Sequence, residues 1–331
     1  MKASPIDRIM RLEHRIRLCD FKDHPEKNNI NTEPKRIKMR KFIMLGMALT
    51  VSVAMLLTSC KKDEVNNNGN NSGNTENPGG GSGGGSGSGG GSVTPNQEYP
   101  STAVVLLQAV TDIDGNSYDA VQIGNQVWMA ENLRTTKYAD GTAIPLGTST
   151  STTTAYRYAP GSNQNNEENM VNVPRYGYLY NWPAVMHGAS SSEANPSGVQ
   201  GICPNGWHVP SDAEWTQLTN YMKTQPTYMA SGNADHLAKA LAATWGWNSS
   251  SETDAPGNNP SLNNATGFSV LPAGSYFDYG NNDGFGTYAS YWSATGDLDN
   301  AYSLLLFYYY VDVVRSYDHE YRGFSVRCVR D

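Results

Sequence analysis

Positive charge is scarce in most of the chain. Twelve of the 24 Lys and Arg residues precede Cys60, as do six of the 31 Asp and Glu residues, so residues 60–331 carry twelve basic and 25 acidic side chains, a net charge near −13. Three lysines lie between residues 101 and 331. Binding to nucleic acid requires a basic surface that neutralises phosphates. The charge therefore predicts that the protein has no nucleic-acid partner.

Aromatic side chains are almost absent from residues 60–100, a segment rich in Asn, Gly and Ser in which Tyr99 is the single aromatic residue. Such a composition cannot bury enough apolar surface to offset the entropy of ordering the chain. We therefore predict a disordered linker with a mean reach of about 30–40 Å. Residues 101–331 hold 31 aromatic side chains, enough for a hydrophobic core. The globular part is assigned to residues 101–331.

The apolar run at residues 42–57 is short. Its sixteen uncharged residues follow two basic ones, whereas a membrane-spanning helix needs about 20 residues. The pattern is typical of a secretory signal peptide, and Leu57-Thr58-Ser59-Cys60 resembles the lipobox of a bacterial lipoprotein. We predict a signal peptide at residues 39–59, cleavage before Cys60 and acylation of the Cys60 thiol.

The segments on either side of this signal carry two further expectations. Met39 stands directly before the two basic residues, as an initiator would, so residues 1–38 are predicted to be an untranslated extension, with a genuine long leader as the alternative. Lys61-Lys62-Asp63-Glu64 is similar to the signal that sends lipoproteins of Bacteroidetes-like bacteria to the outer face of the outer membrane. The alternative is a solvated charged segment after the anchor. We expect a surface-exposed outer-membrane lipoprotein that is attached to the membrane through lipid alone.

Residues 101–331 alternate short β-type runs with Gly, Asn and Pro turns. Runs at residues 104–110, 120–123 and 127–129 are separated by Asp-Gly and Gly-Asn dipeptides, which predicts a meander of antiparallel strands. A capping box and an apolar stripe predict a helix over residues 212–222, and a weaker pattern predicts one over 234–243. The alternation at residues 324–329 is typical of a closing strand. Together, these strand and helix patterns predict an α+β domain with short antiparallel strands and two helices.

Seven sequence blocks follow one another in this part of the chain: residues 112–118, 127–133, 177–184, 203–215, 266–274, 291–295 and 323–330. They include Trp128-Met129-Ala130-Glu131-Asn132-Leu133, Gly206-Trp207-His208-Val209-Pro210 and Ser325-Val326-Arg327-Cys328. The series, over about residues 108–331, resembles the Fibrobacter succinogenes major paralogous domain, found in lipoproteins of Bacteroidetes and their relatives. The resemblance implies a C-type-lectin-like fold, distantly related to that of formylglycine-generating enzymes. It implies no established activity.

Two cysteines remain for the globular part once Cys60 is assigned to lipid and Cys19 to the leader. They are Cys203 and Cys328, and two cysteines in an exported domain most often form a disulfide. The resemblance implies the same bridge, from the region of the first helix to the last strand. The alternative is copper or thiol chemistry of the formylglycine-generating kind, which requires reduced cysteines.

Acidic loops and histidines are the candidate metal or catalytic residues. Asp112-x-Asp114-x-Asn116 begins like a calcium loop, but Ser117 and Ile123 stand where an EF-hand requires Gly and Glu, so a hairpin turn is the better interpretation. The pairs Asp278/Asp283 and Asp297/Asp299 lie in loops where calcium could find oxygen ligands, yet the Glu-Pro-Asn and Gln-Pro-Asp motifs of sugar-binding lectins are absent. We predict no cofactor and no metal. His208 is interpreted as a structural hydrogen-bonding residue.

Aromatic, acidic and aliphatic side chains crowd the segment before the closing strand. Three consecutive tyrosines cannot all face inward in a strand, so one or two are expected at the surface. Tyrosine, histidine and aspartate provide amphipathic contact area at low entropic cost, and aromatic rings can stack on the apolar faces of sugars. The candidate ligand-binding residues are Tyr291, Trp292, Tyr308, Tyr309, Tyr310, Asp312, Tyr317, His319 and Tyr321. The alternative is a set of ordinary strand residues.

The residue types at 304–321 also resemble those that retroelement diversification places near the C-terminus of lectin-fold lipoproteins. We hypothesise that this segment is diversified, which a reverse-transcriptase gene and a near-copy template beside the gene would support. The chain as a whole is predicted to be a surface-anchored, non-catalytic module that binds a glycan or another protein. An envelope enzyme or enzyme accessory, or a structural part of a surface assembly, is the alternative.

Overall fold

The structure is a computed structural model that describes residues 99–163, 166–277 and 281–330. The chain divides into two units, Met1–Gly89 and Gly90–Asp331, and every described residue belongs to the second. The predicted extension, signal peptide, lipidated Cys60 and nearly all of the predicted linker lie outside the described residues, as does Asp278.

The N-terminal strands form the predicted meander and are joined by the last strand of the chain. Strands β1 (Val104–Thr111), β2 (Ser117–Ile123), β3 (Gln126–Met129) and β11 (Val329–Arg330) pair antiparallel in the order β1-β2-β3-β11. Gly115 and Gly124 occupy the two turns with positive φ, which glycine adopts without a steric penalty. The closing strand is therefore held beside the third strand by main-chain hydrogen bonds.

The helix predicted at residues 212–222 is present with the predicted cap. Helix α4 (Asp212–Met222) begins after Ser211, whose hydroxyl accepts from the Glu214 amide while the Glu214 carboxylate accepts from the Ser211 amide. Its apolar face buries Trp215, which stacks on Trp128 of β3 with ring centroids 4.4 Å apart. This contact packs the helix against the first sheet.

Small elements fill the middle of the chain. They are β4 (Arg157–Tyr158), α1 (Asn166–Asn169), α2 (Val173–Tyr176), β5 (Leu179–Tyr180), α3 (Trp182–Met186), α5 (Ala238–Leu241), β6 (Ser275–Phe277) and β7 (Asn281–Asp283). Short 3₁₀ turns lie at Met170–Asn172, Pro226–Tyr228, Ala230–Gly232 and Pro260–Leu262. Strands β4 and β5 pair with each other, as do β6 and β7. The domain therefore combines small antiparallel sheets with few helices, as an α+β prediction requires.

The second predicted helix is largely wrong. Only Ala238–Leu241 is helical, a single turn, in place of the expected helix over residues 234–243. The 3₁₀ turn Ala230–Gly232 comes shortly before it, and Ala242 leaves the helical region to bridge with Val270. Pairing with a neighbouring segment outweighs the weak helical pattern here, because a helix this short has little intrinsic stability.

A three-stranded sheet and the connection between two of its strands carry most of the predicted ligand-binding residues. Strands β8 (Tyr288–Asp297), β9 (Asn300–Phe307) and β10 (Val314–His319) pair antiparallel in the order β10-β9-β8. Strand β10 is an edge strand, and residues 308–313 connect it to β9. The Tyr-rich segment is thus a hairpin whose first strand, β9, lies between two neighbours.

Two hydrophobic clusters meet at the C-terminal segment. Phe324, Val326 and Cys328 belong to one cluster, whereas Val329 belongs to the other and the Arg327 guanidinium lies over the Phe268 ring of that second cluster. The predicted alternation of faces is present, but the closing strand itself is limited to Val329–Arg330. Both faces are buried, since Ser325 and Arg327 are fully enclosed. The segment connects the two cores rather than covering one of them.

Candidate functional site

The predicted ligand-binding residues divide into three groups in the structure. The first, which we call the tyrosine turn, comprises Phe307 to Tyr310, where all four side chains are half-buried. Their rings contact one another: Tyr308 meets Tyr309 edge-on at 5.0 Å between centroids, and Phe307 lies 5.8 Å from Tyr309. Burial and the neighbouring Asp312 carboxylate raise the pKa of Tyr310 above its ordinary value.

Main-chain hydrogen bonds to two neighbouring loops hold the tyrosine turn in place. The Tyr308 amide donates to the Thr287 carbonyl at 2.9 Å, and the Tyr308 carbonyl accepts from the Gly257 amide at 2.8 Å. The aromatic rings are therefore displayed on a fixed backbone. A fixed display lowers the ordering entropy that a ligand must overcome when it binds.

The second group lies at the other end of β10. The Tyr317 hydroxyl donates to the Asp297 carbonyl at 3.1 Å and to the Asp297 carboxylate, while the His319 and Tyr321 rings stack with centroids 5.1 Å apart. Burial, followed by the contact with Asp297, raises the pKa of Tyr317. Tyr317 pairs with Tyr302, five residues along β9 from Phe307, so about 17 Å of strand at roughly 3.4 Å per residue separates this group from the tyrosine turn. The predicted single surface is therefore two surfaces.

The third group is a correction. Tyr291 and Trp292 are fully buried, and both donate hydrogen bonds inside the core, Tyr291 to Asn132 at 2.9 Å and Trp292 to the Tyr180 carbonyl at 2.8 Å. Neither presents a ring to a ligand. The prediction was wrong because an aromatic side chain within a strand reads the same in the sequence whether it faces the core or the solvent, and both residues lie in the middle of the enclosed strand β8.

His208 has the hydrogen bond expected of a structural histidine. Its Nε2 lies 2.6 Å from Oε1 of Glu214, a carboxylate that is fully enclosed. The second oxygen of Glu214 accepts from the amides of Ser197 and Ser211. The pair therefore fixes the start of helix α4 to the loop that precedes it.

The turn that begins like a calcium loop is satisfied by protein donors. The Asp112 carboxylate accepts from the amides of Asp114 and Asn116, from the Asn116 side chain and from the Tyr118 hydroxyl. Because both oxygens are occupied in an Asx-type turn, the hairpin interpretation is confirmed. Within the described ranges no three His, Cys, Asp or Glu side chains are grouped so as to hold a metal ion.

The predicted disulfide is present. Cys203 and Cys328 are joined with Cα atoms 5.9 Å apart, and both residues are fully buried. The bridge links the loop before helix α4 to the segment before β11. In this bonded state neither cysteine offers the free thiol that thiol or copper chemistry requires.

A cleft of about 200 Å³ opens beside the disulfide. Thr111, Lys137, Ile202 and Cys203 are among the residues that line it. The volume is below the roughly 300–1,000 Å³ typical of small-molecule sites. None of the predicted ligand-binding residues lines this cleft.

A further exposed aromatic group lies outside the residues predicted from the sequence. Trp245 is 38% exposed, the guanidinium carbon of Arg175 lies 5.3 Å from its ring centroid, and Tyr176 meets the ring edge-on at 5.6 Å. Phe285 packs on Tyr176 at 4.7 Å. We call these four residues the Trp245 cluster. The signal available in the sequence is a tryptophan in a polar loop, Trp245-Gly246-Trp247-Asn248-Ser249, where no core periodicity accounts for it.

Comparison with protein families identifies the chain. The family model described as the Fibrobacter succinogenes major domain matches residues 121–330. The chain therefore belongs to this family, as the sequence blocks indicated. No curated protein and no solved structure matches the chain. Among the helices of the described ranges, none combines the length and apolarity needed to span a bilayer.

Proposed function

We propose that this protein is a lipoprotein, acylated at Cys60 and exposed at the cell surface, whose domain binds a glycan or protein ligand without catalysing a reaction. We also propose that the domain is C-type-lectin-like. The closing strand β11 beside β3, and the disulfide that ties this end of the chain to the helix α4 region, support that part of the proposal. The acidic mature chain and the lipobox-like tetrapeptide support the anchoring.

The tyrosine turn is the observation that carries ligand binding. Three consecutive half-buried tyrosines stand on a turn that two loops hold through main-chain hydrogen bonds. Tyrosine combines an apolar ring with a hydroxyl and loses little rotamer entropy on binding, which is why it is favoured at recognition surfaces. The flat rings are suited to the apolar face of a sugar or to the side chains of a protein.

The retroelement hypothesis remains a proposal, and burial reduces the number of positions at which we expect diversification. Leu304, Leu305 and Leu306 lie in the segment whose composition motivated it, and all three are buried. Diversification at these positions would disturb packing. We therefore expect tolerated variation at Tyr308 to Asp312 and at Tyr317, His319 and Tyr321, but not at the buried Asp318 and Glu320 between them. The genome neighbourhood decides the matter, since the absence of a reverse-transcriptase gene and a template repeat contradicts the hypothesis.

A glycan and protein array with the full chain tests the function. We expect binding to a defined ligand and a loss of at least fivefold in affinity for Tyr308→Ala, Tyr309→Ala or Tyr310→Ala. The variant Tyr317→Ala tests the second surface separately. Thermal unfolding of each variant checks that the fold is retained. If binding survives all four changes, the site assignment is wrong, and if the chain binds nothing on either array, ligand binding is not supported.

A further inference from the structure

The guanidinium of Arg175 is exposed and has no acidic partner within the described part of the chain. Two other exposed or half-buried arginines are paired with acids, Arg315 with Asp212, and Arg322 with Asp318 at 2.7 Å, whereas the partly exposed Arg330 lies over the enclosed ring of Trp207. Arg175 instead lies over the ring of Trp245. In a chain with 25 acidic residues after Cys60, an arginine that pairs with none of the described ones is available to an anion from outside.

The stacked geometry suits that role. A guanidinium that lies over an aromatic ring uses its π-face there and keeps its in-plane N–H donors for other groups. Those donors form a planar fork that matches the two oxygens of a carboxylate or the oxygens of a sulfate. The half-exposed Trp245 ring beside it offers an apolar plane of the kind on which sugars stack.

The Trp245 cluster is connected to the tyrosine turn through one short segment. Phe285, a member of the cluster, is two residues from Thr287, whose carbonyl accepts the Tyr308 amide. Two residues span at most about 7 Å. The Asn248 amide donates to the Gly286 carbonyl at 2.8 Å, which fastens the loop of Trp245 to the same segment. One extended ligand can therefore reach both places.

We propose that the Trp245 cluster is a second contact for a saccharide bound at the tyrosine turn, and that Arg175 selects saccharides that carry a carboxylate or sulfate group. This inference rests on the proposed function. The acidic chain repels polyanions at long range, but at physiological salt charges beyond about 8 Å are largely screened. The local guanidinium then decides the preference between a charged saccharide and its neutral counterpart.

The test uses two matched pairs of soluble polysaccharides with the full chain: polygalacturonate with its methyl ester, and dextran sulfate with dextran. We expect at least one charged polymer to bind at least fivefold more tightly than its neutral counterpart. Arg175→Gln should remove that preference and leave binding to the neutral polymer unchanged. Trp245→Ala should weaken both polymers of the pair.

Arg330→Gln is the matched control. The Arg330 guanidinium also lies over a tryptophan, 5.0 Å from the ring of Trp207, but that ring is buried and offers no face to a ligand. The control removes the same charge from the same kind of stack and should retain the preference. Thermal unfolding of each variant excludes a loss of fold.

The outcomes separate the two proposals. Equal affinity for charged and neutral polymers, a preference that survives Arg175→Gln, or an equal loss in Arg330→Gln overturns the role of Arg175. If Tyr309→Ala still abolishes binding in such a case, the proposed function stands alone. If the Arg175 effect is found while Tyr309→Ala has none, the ligand site is the Trp245 cluster and the tyrosine turn is not part of it. Binding to a protein but to none of the four polymers overturns the saccharide assignment.

Discussion

Asn132 and Arg327, 195 residues apart in the chain, meet in the core: Nε of Arg327 donates to Oδ1 of Asn132 at 2.8 Å. The same oxygen accepts from the Tyr291 hydroxyl, and the Asn132 amide nitrogen donates to the Tyr176 carbonyl. Asn132 thus joins the end of the first sheet to the closing segment and to the sheet that carries the tyrosine turn. The contact therefore joins two of the sequence blocks, residues 127–133 and 323–330, within the core.

Arg327→Lys should strongly destabilise the fold. The Arg327 guanidinium is fully buried and, besides Asn132, donates to the carbonyls of Met129, Phe268 and Ser269. A lysine ammonium keeps the charge but cannot reach partners on three sides, and each buried carbonyl left without a donor costs about 1–3 kcal/mol. We expect a loss of about 3 kcal/mol or more in the free energy of unfolding, measured with urea. The partly exposed Arg330→Lys should change it by less than about 0.5 kcal/mol, and similar effects for both contradict the assignment.

Removal of the disulfide should also lower stability. Replacing Cys203 and Cys328 together by Ser opens a loop whose ends are separated by 125 residues. Bridges of this kind contribute about 2–5 kcal/mol, mainly by restricting the unfolded chain. Urea unfolding of the double variant measures the loss. In addition, alkylation of the denatured, unreduced protein followed by mass spectrometry should find neither thiol, and labelling of both would contradict the bridge.

Lys239 should behave as a structural cation. It is 9% exposed, and its ammonium donates to the carbonyls of Ala255, Asn258 and Asn259. Lys239→Met keeps most of the length of the side chain but leaves these carbonyls without the donor, so we expect a loss of about 1–3 kcal/mol in the free energy of unfolding. Lys223→Met is the control.

Lys223 pairs with Asp235 at the surface, and surface pairs contribute about 0–1 kcal/mol. A smaller loss for Lys239→Met than for Lys223→Met would show that the three carbonyls are satisfied by water once the ammonium is removed.

Stability should depend on pH through Glu320. This residue is 8% exposed, and burial, with the neighbouring Asp299 carboxylate, raises the pKa of Glu320 from 4.5 to about 7. The folded state therefore holds a proton that the unfolded chain releases near pH 4.5. The contribution of Glu320 to stability is greatest below that pH, falls as the pH rises towards 7, and is constant above it.

Glu320→Gln should remove this component. Urea unfolding between about pH 4.5 and 8 is expected to show that the variant gains stability relative to the wild type as the pH rises, because an amide has no proton to lose. Asp299→Asn should lower the pKa of Glu320 in the folded state, so that the fall in stability is smaller and is complete at a lower pH than in the wild type. A difference between Glu320→Gln and wild type that is independent of pH contradicts the assignment.

The predicted lipidation site, Cys60, lies outside the described residues and is tested by metabolic labelling. Expressed in a bacterium that processes lipoproteins and grown with labelled palmitate, the chain should incorporate the label, and Cys60→Ala should lose it. The conservative variant Ser59→Ala, which keeps the cysteine and a small residue before it, serves as the control. Label that is undiminished in Cys60→Ala would contradict acylation at this thiol.

Most of the predictions that the structure confirms come from short, local sequence patterns. The capping box at Ser211 and Glu214 and the apolar stripe after it define helix α4 through contacts within one or two turns. Asp114-Gly115 defines a turn through the conformational freedom of glycine. Such signals depend on neighbours along the chain, which is why the residue order alone reveals them. The pattern at residues 234–243 failed because pairing with Val270, a distant residue, replaced the helix.

The candidate site, by contrast, depends on contacts between segments that are far apart in the sequence. Tyr291 and Tyr309 belong to the same aromatic-rich stretch, yet the first donates a hydrogen bond to Asn132 in the core and the second stands on a turn. Composition does not distinguish these two environments, because burial depends on which strands flank each residue. The Trp245 cluster is even harder to predict from the sequence, because Arg175, Trp245 and Phe285 come from three separate segments with no common pattern.

The sequence by itself determined the family, the meander, the capped helix and the choice of Cys203 and Cys328 as partners, because each follows from local residue types or from the few cysteines available. Only the tertiary structure decided which aromatic side chains reach the surface, and that the exposed candidate ligand-binding residues form two separate surfaces. It also decided that Arg175 lies over Trp245 without an acidic partner among the described residues. These properties arise because packing brings distant segments together. Positive charge is scarce after Cys60, and where the guanidinium of Arg175 lies depends on that packing.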